Sequence, residues 1–139
     1  MTYPFQRGIV SSLLDAAGMP PGTVLIAEDE PLVALFLTDV AEEQGLAVIG
    51  PAATPEAALA AAAETLPHLA IIDANLGAKG DGIALAEELQ RLHGTRIIFL
   101  SGDASLSVNP AVHAIKPLAI LQKPCPPGEL EAALQAAGT

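Results

Sequence analysis

Glu28, Asp29, Asp73, Ser101 and Lys123 each stand at or just beyond the end of a short apolar run, and their chemistries are complementary. The first run is "VLIAEDEP", residues 24–31, in which four apolar residues precede three acids and a proline. Like charges repel, so carboxylates gathered at one place raise the pKa of at least one member unless a cation neutralises them. Oxygen-only ligands suit Mg²⁺, and a lysine and a hydroxyl beside them suit an anion that the metal also touches. Phosphoryl transfer fits this grouping, with Asp73 as nucleophile and the cations stabilising the phosphoryl oxygens. Each residue also has an ordinary reading. Acids after a strand can cap the next helix at its positive end, Asp73 can be a loop carboxylate, and a lone serine carries little information.

The residues meet only if the runs are strands of one parallel sheet, whose functional groups gather beyond the carboxyl ends. Residues 24–27, 46–49, 68–73, 95–102 and 117–124 read as short, continuously apolar strands of the kind buried on both faces. Between them, Pro31 suits a first helical turn, and Leu32, Val33, Phe36, Leu37 and Val40 form a helical stripe ending near Gly45. Thr54 and Pro55 open an alanine-rich helix that ends near Leu66. Ile83, Leu85, Leu89 and Leu92 mark the inner side of a third helix, and "PGELEAALQAA" makes the last. Alternation at this spacing predicts right-handed βα units, an α/β fold. Residues 103–116 fit least well, because Asn109–Pro110 interrupts the expected fourth helix.

Two lysines precede prolines near the fifth strand. Lys123 follows the apolar run and belongs at the carboxyl end; Lys116 precedes it and belongs at the opposite end. Residues 24–139 read as one domain, and residues 1–23 as an N-terminal extension in which "SSLLDAAG" could form a short helix with Leu13 and Leu14 packing on the main domain.

Composition narrows the function. The 139 residues are 51% hydrophobic with a mean hydropathy of +0.46, too apolar for a disordered chain, and only 3% aromatic, so the core is built from Ala, Val, Leu and Ile. Sixteen acids against six Lys and Arg give a formal charge of −10, which opposes nonspecific binding to nucleic acid or anionic lipid and suits solubility or a basic protein partner. Cys125 is the single cysteine, excluding an intramolecular disulfide or a thiolate metal cluster. No stretch reads as a signal peptide or membrane span, so a cytoplasmic protein is expected. His68, His93 and His113 are dispersed without metal-ligand spacing, and neither a Ser-His-Asp signature nor a glycine-rich phosphate loop follows the first strand.

"VLIAEDE", "IIDANLGAKGDG", "IIFLSG" and "LQKPCPPGEL" resemble, in order, the signatures of bacterial response-regulator receiver domains and cover about residues 24–137. The resemblance implies a doubly wound five-stranded parallel sheet, the flavodoxin-like (βα)5 fold with strand order 2-1-3-4-5. It implies that Asp73 is the phosphoacceptor and that Mg²⁺ is held by Asp29, Asp73, the backbone carbonyl of Asn75 and, through water, Glu28. Ser101 matches the switch hydroxyl that contacts the phosphoryl group, and Lys123 matches the lysine that pairs with it, with a cis bond to Pro124. The implied donor is a histidine kinase or histidine phosphotransfer protein, and the implied output is contact with an unknown downstream protein or phosphoryl relay. Homodimer formation is left open.

The chain also departs from that pattern. Ile120 stands where the family usually has Tyr, Phe or His, and the only tyrosine is Tyr3. The usual aromatic switch is therefore missing, and the fourth helix is atypical. Gly102 is a mild difference, and Cys125 stands where Phe is frequent, suiting an apolar role. Asn75 and Asp103 border the expected approach of water, which predicts fairly quick loss of the phosphoryl group. With the sequence stopping at Thr139, the expectation is a single-domain receiver with self-phosphorylating and autodephosphorylating activity rather than a metabolic enzyme. The alternative is a protein-binding module that keeps the receiver fold without phosphorylation; a small α/β enzyme acting on a metabolite is a third reading.

Overall fold

In the computed structural model of the chain, residues 22–78 and 80–138 are described. The helix expected at "SSLLDAAG" lies outside the described residues, as does Tyr3.

Five strands, β1 (Thr23–Ala27), β2 (Ala47–Ala52), β3 (Leu69–Asp73), β4 (Arg96–Ser101) and β5 (Ala119–Gln122), form one sheet in the order β2-β1-β3-β4-β5. Every neighbouring pair is parallel. The helices are α1 (Pro31–Glu43), α2 (Pro55–Thr65), α3 (Asp81–His93), α4 (Pro110–Ile115) and α5 (Pro127–Ala137). The expected doubly wound α/β sheet is therefore the fold of the chain.

Successive strand residues point to opposite faces, and the core divides accordingly. Leu25, Ala27, Ala70, Ile72, Ile97 and Phe99 pack on the side of α2, α3 and α4, with Ala58, Ala62, Leu85, Leu89 and Val112 opposite them. Val24, Ile26, Ile71, Ile98 and Leu100 pack on the side of α1 and α5, against Leu37, Val40, Ala41, Leu130 and Leu134. A strand buried on both faces needs apolar residues throughout, which is why these runs show no polar alternation.

Three expectations are corrected. Leu32 and Leu92, assigned to inner stripes, are 81% and 50% exposed. In α1 the buried seam is Ala34, Leu37, Val40 and Ala41, two of which are alanines that apolar periodicity underweights. The second strand runs to Ala52 rather than ending at Ile49. Leu25 pairs with Ile49 and Ala27 with Ala52, so Gly50 and Pro51 together face Ile26 as a bulge across the cis Gly50–Pro51 bond. Gly50 has φ +94°, and a Cβ there would stand 2.9 Å from the Ile26 carbonyl oxygen, so only glycine fits.

The segment from 103 to 116 is also resolved into its parts. A 3₁₀ turn over Ala104–Val108 precedes the six-residue α4. Asn109–Pro110 starts this helix instead of breaking it: Asn109 Oδ1 accepts from the Ala111 N–H at 2.8 Å, and Pro110 occupies the first turn. No helix among the described residues is long and apolar enough to cross a membrane.

Candidate functional site

Strand register determines what meets at the carboxyl edge. Ala27 pairs with Ile72, Asp73 with Leu100, and Ser101 with Gln122. Glu28 and Asp29 leave β1 beside Asp73, the last residue of β3, while Ser101 ends β4 and Lys123 follows β5. Backbone bonds extend the ladder past the strand ends: Glu28 N–H donates to Ala52 O at 3.0 Å, Ala74 N–H to Leu100 O at 2.9 Å, and Lys123 N–H to Ser101 O at 2.8 Å.

Glu28, Asp29 and Asp73 each bring a carboxylate oxygen to within 4.8 Å of the others. Lys123 closes the group, with Nζ 3.1 Å from Asp73 Oδ2, 3.1 Å from Glu28 Oε1 and 2.8 Å from Glu30 Oε1. The Glu28 and Asp73 side chains are only 0% and 8% exposed. Burial pushes the Glu28 carboxyl up from an ordinary 4.5 to about 6, with the Asp73 charge adding to the rise and the Glu30 N–H and Lys123 opposing it. For Lys123, burial favours the neutral amine, but hydrogen bonds to Glu30, Asp73 and Glu28 outweigh it and hold the ammonium above the ordinary lysine range.

The remaining carboxylate contacts fix the geometry. Asn75 N–H donates to Asp73 Oδ1 at 3.0 Å, Glu30 N–H to Glu28 Oε2 at 3.1 Å, and Gly77 N–H to Asp29 Oδ2 at 3.4 Å. Asn75 itself is tied down by Gly80 N–H, which donates to its Oδ1 at 3.3 Å. Ser101 Oγ accepts from Asp103 N–H at 2.9 Å, and its hydroxyl turns toward Asp103 O rather than the carboxylates. The Asp103 carboxylate accepts from Ser105 N–H and Oγ at 2.9 and 2.8 Å, capping the 3₁₀ turn.

The residues fit a hard divalent cation. Glu28 Oε1 is buried without a hydrogen bond: Lys123 lies within ion-pair distance but out of hydrogen-bond alignment. A buried carboxylate oxygen of this kind is costly to leave unmatched and points into a group whose other donors are also oxygens.

The structure thus brings Glu28, Asp29, Asp73, Asn75 and Lys123 together and sets Ser101 at the adjoining strand end. Lys116 lies at the far end of the sheet, beside Gly94 and Thr95, as its place before β5 requires. Sequence reasoning missed two participants. Glu30, the third acid of "EDE", reaches Lys123; its position one residue beyond the acidic pair was the available signal. Gly82, a glycine of the "ANLGAKGDG" stretch with no role assigned from sequence, allows α3 to touch the Asp73 backbone, since a Cβ there would stand 2.0 Å from Asp73 O. Cys125 packs, partly buried, against the core on the α1 and α5 side of the sheet, and burial pushes its thiol pKa up.

Residues 24–135 match the family described as response regulator receiver domain. The chain is 29% identical over 123 residues to the transcriptional regulatory protein PdtaR of Mycobacterium tuberculosis, covering 88% of this chain and 60% of that protein. It is 27% identical to the signal receiver domain of a modulated diguanylate cyclase from Desulfovibrio desulfuricans, with a TM-score of 0.75 over 84% of this chain and 93% of the other. A CheY-like response regulator receiver domain protein from Methanospirillum hungatei is 26% identical, with a TM-score of 0.75 over 84% and 92% of the two chains. The order of the strands, the acids at their ends and the family match over 24–135 agree, and the chain belongs to the response-regulator receiver family.

Proposed function

We propose that this receiver takes a phosphoryl group onto Asp73 from the phosphohistidine of a histidine kinase or histidine phosphotransfer protein in the cytoplasm. The observation that carries this reading is the contact of Lys123 Nζ with Asp73 Oδ2 at 3.1 Å, inside a largely buried group of acids. Burial and fixed hydrogen bonds orient the Asp73 carboxylate, so little reorganisation is needed for attack. In the transfer, an Asp73 oxygen bonds to phosphorus as the histidine N–P bond breaks, and the imidazole leaves with that electron pair.

Asp29, Asp73, the Asn75 carbonyl and, through water, Glu28 are the residues that would hold Mg²⁺. The ion would neutralise the carboxylates and the phosphoryl oxygens. Lys123 stabilises the developing charge from the β5 side. Ser101 gives up its Asp103 contact to reach the phosphoryl oxygen, which biases the 103–116 segment beside it. Output then passes to a downstream protein or back into a relay.

The test is intact-mass analysis after incubation with acetyl phosphate or a phosphohistidine donor, with and without Mg²⁺. One Mg²⁺-dependent phosphoryl adduct is expected, absent from Asp73→Asn. A specific observation favours a second reading, a binding module that signals without phosphorylation: Ile120, 37% exposed on the edge strand β5, offers an apolar contact where the family carries a switching aromatic. Absence of an adduct from both donors would select that reading.

A further inference from the structure

The Lys123 ammonium has three N–H donors, and three carboxylates surround it: Glu30 at 2.8 Å, Asp73 at 3.1 Å, and Glu28 at 3.1 and 3.3 Å to its two oxygens. A phosphoryl oxygen can gain a direct contact with Lys123 only as one of these contacts is released or shared. Glu28 and Asp73 are buried, so separating either from the cation leaves an unpaired charge inside the protein. The Glu30 side chain is 62% exposed and can return to water at little cost.

Two further features hold Glu30 at this post. Its backbone is pinned by its own N–H, which donates to Glu28 Oε2 at 3.1 Å. It also occupies the residue before Pro31 at the start of α1, where a negative charge is favoured by the helix dipole. The closest anion to Lys123 is therefore not the buried Asp73 but an exposed acid at the rim of the group.

We propose that Glu30 is a positioning residue that holds Lys123 back from the incoming phosphoryl group and thereby slows phosphoryl uptake at Asp73. This rests on the reading of Asp73 as phosphoacceptor. With acetyl phosphate, the bond formed is Asp73 O–P and the bond broken is P–O to the acetyl group, with acetate leaving with the electron pair. Glu30 takes no part in those bonds and acts through Lys123 and through the charge it presents to the donor.

The experiment compares initial rates of Mg²⁺-dependent labelling by acetyl phosphate in the wild type, Glu30→Gln and Glu30→Asp, followed by intact mass. Glu30→Gln is expected to label about two- to fivefold faster, the range set by one exposed ion pair. Glu30→Asp keeps the charge but is one methylene shorter, and falls between the two. The ratio of rates shrinks toward one as KCl is raised, a response that a purely structural role would not give. The ¹⁵N resonance of the Lys123 ammonium, assigned with Lys123→Arg, shifts in Glu30→Gln before any donor is added. Equal or slower labelling of Glu30→Gln beside a labelled wild type would overturn the proposal and leave Asp73 as phosphoacceptor. A wild type labelled by neither acetyl phosphate nor a phosphohistidine donor would overturn both.

Discussion

Gly82 lies against Asp73 so closely that a Cβ on it would stand 2.0 Å from the Asp73 carbonyl oxygen and 2.8 Å from Ala74 Cα. The N–H of Gly82 donates to Ala74 O at 3.0 Å, so the first turn of α3 is clamped to the end of β3. The backbone that carries the central carboxylate is thus held in place by a residue with no functional group.

Replacing Gly82 with alanine would force the helix away from the strand. Because both partners are backbone, no side-chain rotation relieves the clash, and a loss of about 3 kcal/mol is expected, at the upper end for overpacking. Urea unfolding measures it, and a Gly82→Ala protein as stable as wild type would show that α3 is not packed against Asp73 in this way.

Lys123→Met removes the one cation among three acids. In Mg²⁺-free buffer at neutral pH, the remaining carboxylates face each other with Glu28 fully enclosed, at a cost of about 2 kcal/mol. Mg²⁺ held at these acids as proposed would stabilise the folded state and restore part of the loss by mass action. Thermal unfolding with and without Mg²⁺ reads both effects. The same variant should label slowly with acetyl phosphate.

The Glu28 carboxyl has a folded pKa of about 6 against an ordinary 4.5, so the folded chain holds this proton more tightly than the unfolded chain. Its contribution to stability is present below pH 4.5 and is lost as the pH rises through about 6. Measured as the difference between wild type and Glu28→Gln without metal, stability should fall by about 2 kcal/mol across that window. Since Mg²⁺ needs the ionised carboxylate, its apparent affinity, followed by titration calorimetry, should weaken as the pH drops below 6.

Asn109→Ala deletes the side chain that accepts from the Ala111 N–H at 2.8 Å. A lost N-cap costs about 1 kcal/mol, a large share of what holds a six-residue helix. Amide exchange in α4 should accelerate several-fold while β3 and β4 remain protected. Uniform acceleration would instead mean that α4 and the sheet open together.

Much of this architecture was legible because a doubly wound sheet asks for something a sequence displays plainly: runs such as "VLIA" and "AII" without a polar break. The acids, the hydroxyl and Lys123 were legible for a related reason, since each follows such a run. Leu32 and Leu92 misled because helical periodicity selects a broad apolar arc, whereas small residues such as Ala34 and Ala41 decide which part meets the sheet. Gly82 could not be separated from Gly77 and Gly80 in one glycine-rich loop, because close approach across two elements leaves no local pattern. Asn109–Pro110 carries the same letters whether it ends a helix or begins one, and only the six residues after it decide.

Ser101 and Lys123 are attached to neighbouring strands, with Ser101 paired to Gln122 and its carbonyl bonded to the Lys123 N–H at 2.8 Å. The backbone positions that carry the hydroxyl and the ammonium therefore share one ladder, while each side chain keeps its own torsions. A backbone shift at either strand end is therefore shared by the other, which ties the spacing of the two attachment points to the register of β4 and β5.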